Sequence, residues 1–279
     1  MKTILVPTDF SDTAKNAALC AIELGKQTGV HKLVLYNAYQ TTVNVSGDPA
    51  IPALEVLDVE ALKKASEEGL QNFKFQLLAF LPDNMQVETE SEFNLLTPGI
   101  ADACERHKVD LVVMGITGGG AIQENLFGSN TISVAKQTKT PVIIIPKEAR
   151  LKNIHRVLLV CDFKQVVETT PVGPIKSILD ETQAKFYVLN VDHNQRNFSA
   201  DTPFESLMLD TLFHQYHPEY HFADDPDFIE CINDFVVANQ IDLIITIPKK
   251  HSFFESLFKR SHTKILAFHS HVPLMVIHE

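Results

Sequence analysis

The chain is short of the features that several common chemistries need. It has four cysteines, Cys20, Cys104, Cys161 and Cys231, widely scattered and never spaced as C-x-x-C. Neither a zinc knuckle nor a thioredoxin-type redox pair is supported, and buried reduced thiols are expected. No apolar run reaches the roughly 18–20 residues that a bilayer-spanning helix requires, so no membrane partner is expected. A basic excess is also missing. The formal net charge of −11 opposes a general coat for DNA or RNA, whose phosphates need a cationic face. It still allows a small phosphate ligand held by backbone N–H groups. The patterns G-x-S-x-G and H-E-x-x-H do not occur and no two carboxylates pair as an obvious acid and base, so no catalytic residue is assigned. Two phosphate-binding patterns are absent as well. "LGKQT" (24–28) has the wrong spacing for G-x-x-x-x-G-K-[ST], and Gln123 stands where G-x-G-x-x-G needs its last glycine. The opening "MKTILVPTDFSD" is too short in its apolar part for a signal-peptide core and lacks a cleavage site. It reads as a first strand, and a cytoplasmic location is expected.

What is present is a soluble composition, 45% hydrophobic and 21% charged, on 279 residues, enough for two domains of ordinary size. Strand and helix patterns alternate. "KTILVPTDF" is the mostly apolar run of a strand buried on both faces. Ser11 is placed to cap a helix along which Ala14, Ala17, Ala18, Ala21 and Ile22 recur at helical spacing, and Gly29 suits its exit. Further strands are read at 32–39, 85–92, 110–116 and 141–147, with helices near 58–80 and 98–107 and a loop containing Gly47, Pro49 and Pro52. The order then repeats. "HRVLLVCDF" (155–163) mirrors the first strand and puts Asp162 where Asp9 stands; strands at 185–193, 242–248 and 273–279, "EYHF", and helices near 202–216 and 227–239 complete the second copy. The polar, basic segment 147–154 reads as a linker. The expected fold is α/β, two tandem doubly wound parallel five-stranded sheets of Rossmann-like type, with domains at 1–147 and 153–279.

One stretch carries more specific chemistry. "GITGGGAIQENLFGSN" (115–130) follows the fourth strand and has glycines at Gly115, Gly118 and Gly128, with Ser129 next. Glycine lets backbone approach a ligand with no Cβ in the way. The helix that follows offers unpaired N–H groups and the positive end of its dipole, and Ser129 and Thr131 add hydroxyls. Such a helix start suits a phosphate chain. Asp9, past the end of the first strand, can share the crevice and accept from a ribose hydroxyl or an adenine amino group.

The spacing Gly115-x2-Gly118-x9-Gly128-Ser129 resembles the ATP-binding signature of the universal stress protein family. "ILVPTDFSDTAKNAA" resembles that family's opening strand and helix, and "GSNTISVAKQTKTPVIIIP" its closing helix and strand. The resemblance covers nearly the whole chain as two copies. It implies a stress-response or regulatory protein that binds ATP, with or without Mg²⁺. Adenine and ribose contacts are implied near Pro7, Thr8, Asp9 and Ala38, and phosphate contacts from Met114, Gly115, Thr117, Gly118, Gly128, Ser129, Asn130 and Thr131. Thr117 departs from the family, where a basic residue is common.

The second copy repeats Glu-x-Leu-Phe (Glu124–Phe127, Glu255–Phe258) but fills the loop. Ile247 replaces Gly115, and Lys259 and Arg260 replace Gly128 and Ser129. Nucleotide is therefore expected in the first half only. Lys249, Lys250, Lys259 and Arg260 read first as a solvated basic loop and second as an anion site. His214, His217 and His221 lie close in sequence, the first two able to share a helix face, and a surface role is expected over zinc binding. The rivals to a nucleotide-binding module are an interaction scaffold whose second domain takes a partner or an anion, and an adenylate-forming enzyme, which the absence of an S-G-G-x-D-S-type loop disfavours. Any ATP hydrolysis is expected to be slow, since no general base or arginine finger is evident. The apolar closing strands 141–147 and 273–279 are expected to pair within the chain, with further homodimerisation allowed.

Overall fold

The computed structural model describes residues 1–40, 59–116, 129–193, 201–248 and 272–278. In the first half the elements are β1 (Thr3–Pro7), α1 (Asp12–Thr28), β2 (Lys32–Tyr39), α2 (Val59–Leu77), β3 (Gln86–Phe93), α3 (Leu96–His107), β4 (Leu111–Ile116), α4 (Ser129–Gln137) and β5 (Val142–Pro146). The second half contains β6 (Arg156–Val160), α5 (Val166–Thr169), α6 (Val172–Thr182), β7 (Lys185–Val191), α7 (Thr202–Phe213), β8 (Glu219–Ala223), α8 (Phe228–Asn239), β9 (Leu243–Thr246) and β10 (Leu274–Val276).

Local signals account for the element ends. Ser11 accepts from the Ala14 N–H to open α1, and Gly29, at φ 70°, closes it in the left-handed region. The alanine stripe lets α1 lie close on the sheet: Ala17, Ala18 and Ala21 are fully buried. Asp227 opens α8 by accepting from the Ile229 and Glu230 N–H groups.

The strands form one ten-stranded sheet in the order β3-β2-β1-β4-β5-β10-β9-β6-β7-β8. Each half is parallel and doubly wound, and the two sets meet where β5 and β10 pair antiparallel, with Met275 opposite Ile143. The order is palindromic about that pair, so the halves are related by a pseudo-two-fold axis through the sheet. Two apolar layers, one per sheet face, each contain residues of both halves. The first joins α1, α2, α6 and α7; the second joins α3, α4 and α8.

The structure differs from the sequence reading in three places. Segment 147–154, polar and basic by composition, is half core: Ala149 and Ile154 are fully buried and Leu151 nearly so. Gln27 of α1 clasps Ile154 by donating to its carbonyl and accepting from its N–H, each at 2.8 Å. Where the first half has one long helix α1, the second has α5 and α6, interrupted at Thr170 and Pro171. Helix α7 stops at Phe213, so His214 sits in a 3-10 turn and His217 in a left-handed cap at φ 48°. They share no α-helical face. Among the described residues no helix is long and apolar enough to cross a membrane.

Candidate functional site

In the first half the strand order reverses between β1 and β4, which is where an open parallel sheet leaves a crevice at its carboxyl edge. A crevice of about 620 Å³ lies there, lined by Pro7, Thr8, Asp9, Ala38, Met114, Gly115, Asn130 and Thr131 among others. Those eight were picked from sequence. Ser129 begins α4. Thr117, Gly118 and Gly128 lie outside the described residues, as do Gly47, Pro49, Pro52, Lys249, Lys250, Lys259 and Arg260.

The floor is the turn from β1 into α1. Thr8 is buried; its N–H donates to the Tyr36 carbonyl and its Oγ1 accepts from the Phe10 N–H at 2.9 Å. Asp9 Oδ1 accepts from the Ser11 N–H at 3.1 Å. Phe10 takes φ 65°, uncommon for a bulky residue. Its ring packs edge-on to Phe73 and lies where a side chain on Gly69 would otherwise be.

The same turn is built again in the second half. Asp162 Oδ1 accepts from the Lys164 N–H at 3.2 Å, Phe163 has φ 50°, and Asn190 donates to the Cys161 carbonyl as Asn37 does to that of Thr8. Asp162 therefore has a backbone duty that explains its presence without a ligand. Asp9 performs that duty too, with one of its two oxygens.

Gly115 is the second feature. It lies within β4, paired with Ile145. A Cβ there would stand 2.6 Å from both the Cγ2 and the carbonyl oxygen of Thr13. Its glycine identity is thus demanded by the close approach of α1, before any ligand is considered. By strand register Ile247 comes directly after β9 at the place that Gly115 holds in β4. Thr131 differs from expectation. Its hydroxyl donates to the Gly115 carbonyl at 2.9 Å, so that proton ties α4 to β4 instead of facing a phosphate.

Sequence reasoning missed Asn37, Asn94 and Thr97, which also line the crevice. The signal was available: β3 lies beside β2, so its carboxyl end and the start of α3 border the same opening. Asn94 is held there by Glu92, whose Oε1 it reaches at 3.4 Å. Glu92 also accepts from the Tyr36 hydroxyl at 2.8 Å and from Arg106 at 2.9 Å. Burial opposes the Glu92 charge, but the hydrogen bonds from Tyr36, Arg106 and Asn94 prevail and hold the carboxyl below its ordinary pKa. Burial first, and then the Glu92 carboxylate, push the Tyr36 hydroxyl well above its ordinary value, so it stays a donor.

These features define a doubly wound α/β protein with a polar crevice at the switch point of its first half. Its family is narrower. Residues 1–146, more than half of the chain, match the model of the Universal stress protein family, and the chain belongs to that family. It is 31% identical over 149 residues to universal stress protein MJ0531 of Methanocaldococcus jannaschii, covering 52% of this chain and 82% of that one. It is 30% identical over 149 residues to a universal stress protein of Thermus aquaticus, covering 52% and 98%. The whole two-half fold recurs in the crystal structure of a universal stress protein from Archaeoglobus fulgidus, with TM-score 0.70 and 17% identity over 99% of this chain and 96% of that one.

Proposed function

We propose that this protein is a nucleotide-responsive regulatory module that binds ATP, with or without Mg²⁺, in the first-half crevice alone. Residues 1–147 and 153–279 are its two domains in this reading. The observation that carries it is the convergence on one crevice of Asp9, Ala38, Gly115 and the start of α4, residues far apart in the chain. About 620 Å³ falls in the range of small-molecule sites. The first N–H groups of α4 lack partners within the helix and suit an anion. Gly118, Gly128 and Thr117 enter by sequence resemblance. Ile247, Lys259 and Arg260 argue against nucleotide in the second half, because in sequence they take the places of Gly115, Gly128 and Ser129, and glycine is what such a loop needs. Catalysis is no part of the proposal.

Mass spectrometry of ligand released from the purified protein, followed by calorimetric titration with ATP, tests it. The expected result is one adenine nucleotide per chain, lost when Gly118 and Gly128 are both changed to leucine while the circular dichroism spectrum is kept. Tight ATP binding by that folded double variant, or density beside Asp162 in ATP-soaked crystals, would overturn the reading.

A further inference from the structure

Behind the crevice runs a chain of three buried or half-buried polar side chains. The Ser91 hydroxyl donates to Ser66 Oγ at 2.7 Å, and the Ser66 hydroxyl donates to Asn37 Oδ1 at 2.7 Å. The Asn37 amide nitrogen then donates to the Thr8 carbonyl at 2.7 Å. Each hydroxyl proton is used once and the directions agree from end to end. An asparagine amide can be turned either way. Here the Thr8 carbonyl, which can only accept, requires the nitrogen on its side, and that leaves Oδ1 to accept from the Ser66 hydroxyl.

Packing alone does not explain Ser66. Helix α2 buries four residues, Ser66, Leu70, Phe73 and Leu77, and Ser66 is its one polar member. A buried hydroxyl is unfavourable unless hydrogen-bonded, so its presence in an apolar stripe points to the bonds it makes. What those bonds serve is the crevice floor. With Asn37 in place, the N–H, hydroxyl oxygen and carbonyl of Thr8 are all engaged. Thr8 is thereby pinned directly before Asp9.

The second half is an internal control. Its last link is intact, since Asn190 donates to the Cys161 carbonyl at 2.8 Å. Ser91 pairs in register with Asn37, and the residue paired with Asn190 is Phe222, which has no hydroxyl and stacks on Phe163. The hydroxyl at the outer end of the chain thus belongs to the half assigned the nucleotide.

We propose that Ser66 is a positioning residue for the first-half crevice. Held by Ser91 and acting through Asn37, it fixes the turn that carries Asp9 in ligand-binding geometry. This rests on the nucleotide reading above. The full-length protein is titrated with ATP as wild type, Ser66→Ala, Ser66→Thr and Ser91→Ala, and the melting temperature of each is taken without nucleotide. Ser66→Ala removes the Ser66 hydroxyl together with its bonds to Asn37 and Ser91, and it should weaken ATP binding by about five- to tenfold. Ser66→Thr, which keeps the hydroxyl, should stay within about twofold of wild type. Ser91→Ala should fall between them, and it keeps the question open to test if Ser66→Ala does not fold. Wild-type affinity in both alanine variants, with only the melting temperature lowered, would make Ser66 purely structural and overturn the proposal. Equal loss in Ser66→Thr and Ser66→Ala would do the same. A wild type that binds no ATP would instead bring down the nucleotide reading, and this proposal with it.

Discussion

Gly115→Ala separates two explanations for a glycine at the mouth of the first-half crevice. If the missing side chain serves only to admit a ligand, the substitution weakens ATP binding and leaves the apo protein's stability unchanged. The structure points elsewhere. The new Cβ would lie 2.6 Å from Thr13 Cγ2, 2.6 Å from the Thr13 carbonyl oxygen and 3.0 Å from its carbonyl carbon. Two of those atoms are backbone in the first turn of α1, which cannot rotate away as a side-chain tip would. Relief requires α1 to move off β4, and α1 carries the alanine stripe that holds it against the sheet. Forced overpacking of this kind costs about 1–3 kcal/mol. For a chain of this size, at about 2–4 °C per kcal/mol, the apo melting temperature should fall by roughly 2–12 °C. Thr13→Ser removes Cγ2 and leaves the carbonyl, so Gly115→Ala with Thr13→Ser should recover only part of the loss. Thermal unfolding followed by circular dichroism without nucleotide reads this directly. An apo protein that melts at the wild-type temperature would refute the packing argument and return Gly115 to a ligand role.

Gln27→Ala removes both hydrogen bonds to Ile154 and leaves two buried backbone groups without partners. About 2 kcal/mol of stability should be lost in urea unfolding, and no loss would show that the Gln27–Ile154 bonds do not hold the segment. Glu92 has a lowered folded-state pKa, so its contribution is present above the unfolded carboxyl value of about 4.3 and disappears as pH falls through the folded one. The stability gap between wild type and Glu92→Gln should accordingly be widest near neutrality and close in acid, and a gap constant down to about pH 3 would contradict this. Deleting residues 273–279 strips β10 from between β5 and β9, leaving the apolar strand Val142–Pro146 as an open edge. Light scattering should then report dimers or larger aggregates, and a monomeric, equally stable product would mean that the strand pair does not hold the halves together.

The parts of the fold legible in sequence were those set by local rules. The alanine stripe, Ser11 and Gly29 sufficed to place α1, and buried strands declared themselves as apolar runs such as "VIIIP" and "RVLLV". What escaped depended on partners distant in the chain. Segment 147–154 looks like a linker because it is polar and basic, yet Ala149, Leu151 and Ile154 are turned to the core. The helix α6 was passed over, although Ile175, Ile178, Leu179 and Thr182 recur at helical spacing. In the site, Asp9 and Gly115 could be brought to one crevice by topology alone. Their packing duties could not be read, because nothing local says that Thr13 lies against Gly115 or that Asp9 closes its own turn. Ser66 was invisible for the same reason: a lone serine on a helix acquires meaning only when Asn37 and Ser91 are found on either side of it.

The second half shows which residues the architecture needs irrespective of ligand. Because β5 and β10 run antiparallel while every other pair is parallel, the carboxyl ends of β1 and β4 open on one edge of the sheet and those of β6 and β9 on the opposite edge. A ligand in the first-half crevice therefore cannot reach the corresponding edge of the second half, and either edge can change without direct penalty to its twin. The sheet cannot be given up, since each half supplies half of both apolar layers. What the second half keeps are groups that build backbone: the Asp162 turn, the Asn190 bond to Cys161, and Asp242, which accepts from the His155 and Arg156 N–H groups as Asp110 does from those of Lys2 and Thr3. What differs is the room beside the crevice, with Ile247 after β9 where β4 has Gly115, and Phe222 beside Asn190 where Asn37 has Ser91. A half retained for the sheet and released from a ligand would keep and lose those two sets of residues.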